Sequence, residues 1–247
     1  MRSSSASADT RPLIWLRAVA AIAVTTPLVL RTSAADVPET AAAAAMQRFL
    51  SRAAVTHEYR ASRRLEASGH GLRAWLDVDT DFTRTSGLRY AVTAEGGSGY
   101  IRSRVLRSLL DEEQRLIARG DQASVALSTD NYEFTPERIG EDGLAVVGLA
   151  PRRKDRSLVA GQIFLTADGE LVRLEGRLAK NPSFWTSRVD VVRSYRRIAG
   201  VPMPVSLETT AQLRLFGSSA LRMTYRYSHV DEQPVDDSAA EISDRRR

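Results

Sequence analysis

The spacing of apolar residues changes several times along the chain, and each change predicts a different kind of element. Residues 18–30 form an apolar run that only two threonines and a proline interrupt. Beyond it, apolar positions recur at helical spacing and predict a helix from Thr40, its N-cap, to about Ala54. From residue 58 the spacing drops to two, which is the period of a half-buried strand.

Three strands with this period follow the first helix. Between residues 58 and 67, mostly apolar side chains alternate with charged ones, and Gly69-His70-Gly71 ends the strand. Residues 72–79 alternate in the same way, with Trp75 in the phase of the charged side chains, and predict the second strand of a hairpin. Residues 88–92 continue the meander.

A second helix interrupts the strands. Gly96-Gly97-Ser98-Gly99 breaks the sheet, and from Tyr100 to Arg119 the apolar residues share one broad helical face, with Gly120 as the predicted C-cap. Beyond this helix the chain reads as short strands joined by tight turns such as Ala167-Asp168-Gly169-Glu170, where glycine accepts a positive φ. The predicted strands are 123–128, 131–138, 143–150, 158–166, 170–178, 185–196, 203–215 and 219–229.

Together these elements predict a mainly β (α+β) fold. We expect a curved antiparallel sheet, or incomplete β-barrel, of about 11 strands with helices covering its concave face. Short strands with tight turns favour antiparallel pairing over parallel βαβ units. No repeat or linker divides residues 36–230, which we interpret as one domain, whereas residues 231–247 have the charged, apolar-poor composition typical of a disordered tail.

The N-terminus has the three parts of a cleavable secretory signal peptide, which we place at residues 1–35. Three arginines precede the apolar run, and small residues follow it up to Ala35. The run of residues 18–30 would span roughly 20 Å as a helix, less than the ~30 Å hydrocarbon core of a bilayer, so an uncleaved anchor is the weaker alternative. The sequence therefore predicts export to the periplasm.

The amino-acid composition excludes several classes of protein. The chain has no cysteine, which rules out disulfides, thiolate metal sites, a cysteine nucleophile and a lipid anchor on an N-terminal cysteine. Without residues 1–35 the formal net charge falls from +5 to +2, because 31 basic and 29 acidic residues remain. The basic residues are nearly all arginine and are interleaved with acids, so no nucleic-acid partner is expected.

No set of residues typical of catalysis stands out. His57, His70 and His229 lie far apart and form no HxxxH or HExxH pattern, so no metal site is expected. The glycine-rich turn at residues 96–99 lacks the spacing of a phosphate-binding loop, and a GxSxG elbow is absent. The aspartates between residues 77 and 81 alternate along one strand face, as solvated acids do. We therefore expect a protein that is not an enzyme and takes no cofactor.

The segment Asn181-Pro182-Ser183-Phe184-Trp185 places two large aromatic side chains after a proline, at the edge of a long predicted strand. These aromatics either cap the core or line the mouth of a cavity between sheet and helices. The side chains that we expect to line a hydrophobic cavity are Trp75, Tyr90, Phe164, Leu174, Phe184, Trp185 and Tyr225.

Several short segments resemble the outer-membrane lipoprotein-sorting (LolA-like) proteins, of which this chain would be a divergent member. They occur in order and together cover roughly residues 55–230. The segments are Ala94-Glu95-Gly96-Gly97-Ser98-Gly99-Tyr100-Ile101, Asn131-Tyr132-Glu133-Phe134, Pro151-Arg152-Arg153-Lys154-Asp155, Glu175-Gly176 with Ala179-Lys180-Asn181-Pro182-Ser183-Phe184-Trp185, and Arg214-Leu215-Phe216-Gly217.

The resemblance implies an incomplete antiparallel β-barrel with helices as a lid and an apolar cavity for acyl chains. The carriers of this family move lipidated proteins from the inner to the outer membrane and are gated by an arginine under the lid, which the sequence does not single out here. The chain would then be a periplasmic carrier or binder of lipid or lipoprotein acyl chains. Its lid would be the helix Ile101–Ile117, and its contact with membranes would be transient.

Two other functions agree with the same pattern. An envelope-stress-type sensor would use the fold to bind another envelope protein, and an exposed apolar patch would then replace the closed cavity. An envelope hydrolase acting on lipid or glycan would need two carboxylates about 5–10 Å apart in a polar cleft.

Overall fold

The structure is a computed structural model, and it describes residues 36–52, 58–183, 186–214, 217–231 and 233–235. The predicted signal peptide lies outside these residues. The strands are β1 (Glu58–Gly69), β2 (Leu72–Thr83), β3 (Gly87–Gly97), β4 (Tyr132–Ile139), β5 (Ala145–Pro151), β6 (Val159–Leu165), β7 (Leu171–Leu178), β8 (Thr186–Ile198), β9 (Val201–Leu213), β10 (Gly217–Val230) and β11 (Gln233–Pro234).

All 11 strands belong to one sheet, and its pairings are antiparallel. Ten of them follow the order β3-β2-β1-β10-β9-β8-β7-β6-β5-β4, and β11 pairs with β10. β3 and β4 are the two ends of this order, so the sheet is open. This confirms the predicted mainly β, antiparallel and incompletely closed fold.

Two helical regions pack on the sheet. Helix α1 (Asp36–Ser51) contacts β4, β5 and β6. The second region consists of α2 (Gly99–Ile101), a π-helical stretch (Arg102–Arg107) and α3 (Ser108–Ala118), and it contacts β1, β2 and β3. We call this second region, residues 99–118, the covering segment.

Both helical regions lie on the same face of the sheet, which we call the covered face. Directly paired residues of neighbouring strands point to the same face, so the strand register traces one row of side chains across eight strands, from β2 to β5. Residues at one end of the row pack with the covering segment, and residues at the other end pack with α1. In order the row is Leu76, Leu65, Met223, Leu207, Arg193, Leu174, Ile163 and Val147.

The apolar core is divided between these two helical regions. Beneath the covering segment, Leu65 and Leu76 of the sheet pack with Leu106 and Leu110, and all four are fully buried. Beneath α1, the helix contributes its alanine-rich face, which has the three- and four-residue spacing of an amphipathic helix. Leu207 packs against both clusters, so the core is continuous across the middle of the sheet.

The structure differs from the predicted elements in four places. α1 begins at Asp36, so Thr40 lies inside the helix and is not its cap. The predicted strand 123–128 is wrong: a 3-10 helix, Asp121–Val125, occupies this stretch. The amide of Asn131 donates to the carbonyls of Ala123 and Ala126 at 2.7 and 2.8 Å, and these bonds hold the short apolar stretch in turns.

The third difference concerns the glycines before the covering segment. β3 continues through Gly97, whereas the glycines were expected to break the strand. At Gly97 φ is +81°, and a Cβ there would collide with the Arg73 carbonyl. Glycine is therefore required for strand β3 to pass this close to β2. The fourth difference is that Gln233 and Pro234, within the predicted tail, pair with β10.

Among the described residues, no helix combines the length and the apolar character needed to cross a membrane.

Candidate functional site

A cavity of about 940 Å³ opens between the C-terminal end of the covering segment and the β2–β3 hairpin. Pockets for small molecules typically measure roughly 300–1,000 Å³, so this volume is sufficient for a ligand. The wall mixes apolar with polar and charged side chains. The apolar ones are Phe82, Leu88, Ile117 and Ala118, and the others include Arg84, Arg89, Gln114, Arg115 and Gln122.

A buried ion pair ties the middle of the covering segment to the sheet. Arg63 of β1 is only 2 % exposed. Its two terminal nitrogens donate to the carboxylate of Glu113 in α3, at 2.6 and 3.2 Å, and one of them also donates to the Tyr59 hydroxyl at 2.8 Å. This fork-to-fork geometry is the strongest that arginine makes with a carboxylate.

The environment of this pair keeps arginine charged and tyrosine neutral. Burial by itself lowers the pKa of Arg63, but the Glu113 carboxylate and then Tyr59 raise it, and the net pKa lies above its ordinary value. Burial raises the pKa of Tyr59 to about 12, against the opposing charge of Arg63. At neutral pH Arg63 is therefore a charged guanidinium and Tyr59 a neutral phenol.

The rim of the covering segment is held by polar contacts that are more accessible to water. The Tyr90 hydroxyl donates to Asp111 at 2.5 Å, and Gln114 donates through its side-chain amide to a β3 carbonyl at 2.9 Å. Near the other end, Arg102 and Arg107 both pair with Glu95 of β3, at 2.6 and 2.5 Å. The segment is thus fastened by polar groups around an apolar centre.

A second arginine, Arg193 of β8, lies in the middle of the covered face. It is the single charged residue in the row of eight described above, between Leu207 and Leu174. Its guanidinium carbon is 5.5 Å from the centre of the Tyr195 ring, and its Nε is buried without a hydrogen-bond partner. Within the described part of the chain it forms no ion pair.

Tyrosines fill the space between the two arginines. Arg63 lies over the Tyr225 ring, with its guanidinium carbon 4.9 Å from the ring centre, and Tyr225 stacks with Tyr227 at 6.1 Å. Burial raises the pKa of Tyr225, while the charges of Arg193 and then Arg63 oppose this shift. The guanidinium groups of Arg63 and Arg193 therefore both interact electrostatically with one carboxylate, that of Glu113.

The side chains expected to line a cavity do not lie together. Tyr90 and Tyr225 are on the covered face beside the covering segment, and Leu174 is on the same face in the cluster under α1. Trp75 and Phe164 are on the opposite face, each beneath an arginine guanidinium at 4.1 Å. Phe184 and Trp185 lie outside the described residues.

The polar residues at the centre of the covered face were missed at the sequence level, although a signal was present. Arg63 occupies the same strand phase as Ala61 and Leu65, and Arg193 occupies the same phase as Val189 and Val191. An arginine in the apolar phase of a strand must be paired or functional, because a buried charge is costly. Glu113 carries no such signal, since acids are common on helices.

Comparisons with known proteins place few constraints on the chain. No protein-family model matches it, and no curated protein matches it. Among solved structures, it is similar to a DUF1329 family protein from Desulfovibrio piger, with 10% sequence identity and a TM-score of 0.35. That match covers 83% of this chain and 96% of the other chain. What the structure itself shows is a mainly β protein whose open antiparallel sheet is covered on one face by helices.

Proposed function

We propose that the protein is a periplasmic, non-catalytic carrier or binder of acyl chains from lipids or lipoproteins. The observation that carries this proposal is the cavity of about 940 Å³ between the covering segment and the open sheet. It lies at the end of a helix whose underside is an apolar cluster, so a ligand that enters there can extend along apolar side chains.

The covering segment has the properties of a lid. It includes a π-helical stretch, Arg102–Arg107, and such irregular turns commonly occur at functional sites. Its rim contacts are polar and partly exposed, so water can replace them at a cost of about 0–1 kcal/mol for each pair. Leu106 and Leu110 on its underside can pack equally well against the sheet or against a hydrocarbon chain.

The free energies involved favour opening of the covering segment when an acyl ligand is present. Each methylene removed from water contributes roughly 0.8 kcal/mol, so ten of them contribute about 8 kcal/mol before binding entropy is subtracted. Separating the Arg63–Glu113 pair costs about 3–5 kcal/mol if both groups stay buried, and less here because Glu113 can reach water: 31% of its side chain is exposed. In this proposal Arg63 is the residue that holds the lid closed.

Binding of the neutral fluorescent probe N-phenyl-1-naphthylamine to the purified protein tests the proposal. We expect saturable binding that the variant Ile117→Trp weakens at least tenfold, because the indole fills the cavity. Val105→Trp is the matched control: Val105 lies on the same segment, is 38% exposed and does not line the cavity. Circular dichroism of both variants shows whether the fold is retained.

Native mass spectrometry of protein purified from the periplasm provides the second measurement. Co-purifying acyl species would support the proposal. Failure of the wild-type protein to bind the probe, together with a spectrum free of acyl species, would contradict it. Recovery of a defined envelope protein in that spectrum would instead favour the sensor, whose contact surface would include the exposed Leu72 and Tyr100.

A further inference from the structure

We propose that Arg193 is a binding site for the anionic head group of the ligand, namely the carboxylate of a single-chain fatty acid. This inference rests on the proposed function, because it assigns chemistry to one end of an acyl ligand. It adds a specific contact that apolar packing alone does not supply.

The position of Arg193 is the first argument. Seven of the eight residues in the cross-sheet row are apolar, and Arg193 is the exception at its middle. α1 packs on β4–β6 and the covering segment packs on β1–β3. Arg193 lies on β8, between the parts of the sheet that these two helical regions cover, with apolar side chains on both sides along the row. A ligand head group bound there can extend its chain along this row.

The charge balance around Arg193 is the second argument. Arg63 has Glu113 as its bidentate partner, whereas Arg193 has no carboxylate within 4 Å among the residues that the structure describes. Burial raises the pKa values of the nearby Tyr225 and Tyr227, so these two phenols are neutral at pH 7. One positive charge of the group Arg63, Glu113 and Arg193 is therefore uncompensated, and arginine cannot discharge it by losing a proton. Arg193 is partly buried and its Nε is buried without a hydrogen-bond partner, so a counter-ion at this position would offset the cost of desolvating the charge.

The planar shape of the guanidinium group limits which anionic ligands would fit it. Guanidinium matches a planar carboxylate in a two-pronged arrangement, and a single carboxylate supplies the one negative charge that the cluster lacks. The flanking Leu174 and Leu207 would contact the first methylenes of the chain. A small free anion would satisfy the charge but would gain nothing from these leucines.

Competition against bound N-phenyl-1-naphthylamine separates these possibilities. Laurate and dodecanol carry chains of the same length, and only laurate is charged. Below their aggregation limits, we expect laurate to displace the probe at a concentration on the order of tenfold lower than dodecanol, as one charged contact predicts. In Arg193→Met this advantage should disappear while dodecanol binding stays unchanged. Arg196→Met, an exposed arginine of the same strand, is the control and should keep it.

The folded state of Arg193→Met provides an independent readout. Replacing this partly buried, unpaired charge by an apolar side chain of similar length is expected to raise the melting temperature of the ligand-free protein. A lower melting temperature would show that Arg193 has a structural partner and would overturn the inference.

The remaining outcomes distinguish this inference from the proposed function. Equal displacement by laurate and dodecanol in the wild-type protein would overturn the Arg193 site and leave the carrier proposal intact. Displacement by neither would overturn both. Competition by millimolar acetate as effective as that by laurate would overturn the fatty-acid assignment, because the site would then select a small anion without its chain.

Discussion

At the scale of single residues, the covered face depends on how two arginines are compensated, the buried Arg63 and the partly buried Arg193. Arg63 is enclosed by Glu113 and Tyr59, and three hydrogen bonds satisfy its terminal nitrogens. Arg193 is surrounded by aromatic rings and leucines and has no carboxylate among the described residues. In the function that we propose, the first arrangement stabilises the closed lid, and the second leaves a charge that the ligand would neutralise.

The Arg63–Glu113 pair makes a testable prediction. Glu113→Gln should lower the free energy of unfolding by about 2 kcal/mol, because it leaves the Arg63 guanidinium buried without its carboxylate. The double variant Arg63→Met with Glu113→Leu should recover most of that loss, since no buried charge remains. Urea unfolding monitored by circular dichroism measures both.

The control for this prediction is the preceding acid on the same helix. Glu112 pairs with Arg115 at 2.5 Å, but 61% of its side chain is exposed. Glu112→Gln should therefore change stability by less than about 0.5 kcal/mol. If Glu113→Gln were as mild as Glu112→Gln, the buried pair would not be what fastens the covering segment to the sheet.

At the scale of elements, α1 is positioned by the turn between β6 and β7. Gly169 in that turn has φ +78°, and a Cβ there would lie 2.6 Å from the Phe49 nitrogen and 2.7 Å from the Ala45 oxygen of α1. Arg48 of the helix donates to the Ala167 carbonyl of the same turn at 2.6 Å. Gly169 therefore has two roles: it allows the positive φ of the turn, and it lets the backbone of α1 approach the turn closely.

Gly169→Ala should consequently be more damaging than a turn glycine normally is. Forcing alanine into the left-handed region costs about 1 kcal/mol, and overlap with the helix backbone adds roughly 1–3 kcal/mol. Gly143→Ala is the matched control, because Gly143 also has φ +78° but nothing lies within 4 Å of its Cβ position. Equal losses in the urea midpoints of the two variants would show that α1 shifts freely away from the turn.

At the scale of the whole molecule, the sheet joins the two ends of the described chain. β10 lies between β1 and β9, so the first strand is paired to the last long one. Met223 of β10 pairs with Leu65 of β1 on one side and with Leu207 of β9 on the other. The two core clusters are therefore connected through β10, a strand near the C-terminal end of the described chain.

A truncated chain tests this connection. A protein ending after Arg214 lacks β10, which leaves β1 and β9 with unpaired edges and interrupts the apolar row. We expect it to show no cooperative unfolding transition and to be degraded rapidly by trypsin. A chain ending after Val235 keeps every described strand and should unfold as the full-length protein does. A cooperative transition in the shorter chain would mean that the part under α1 folds independently.

The sequence by itself determined the strand and helix content of this protein for a physical reason. Side-chain period depends only on backbone geometry, so the alternation in β1 and β2 and the helical face before Gly120 could be recognised without knowledge of partners. The strand predicted at 123–128 was wrong because its structure depends on Asn131, whose amide captures two carbonyls. Trp75 was expected to line a cavity because of its type, but its strand phase places it on the opposite face.

Only the tertiary structure decided which polar residues meet. Arg63 and Glu113 are 50 residues apart. Arg193 interacts electrostatically with Glu113 although β10 and β9 separate its strand, β8, from β1 in the sheet. Periodicity shows that a residue points to the core, but the energy of a buried charge depends on its partners, which long-range strand order supplies. The strands of the open sheet could thus be predicted from the local pattern of apolar residues. The arginines that we propose to gate and bind the ligand come together only in the tertiary structure.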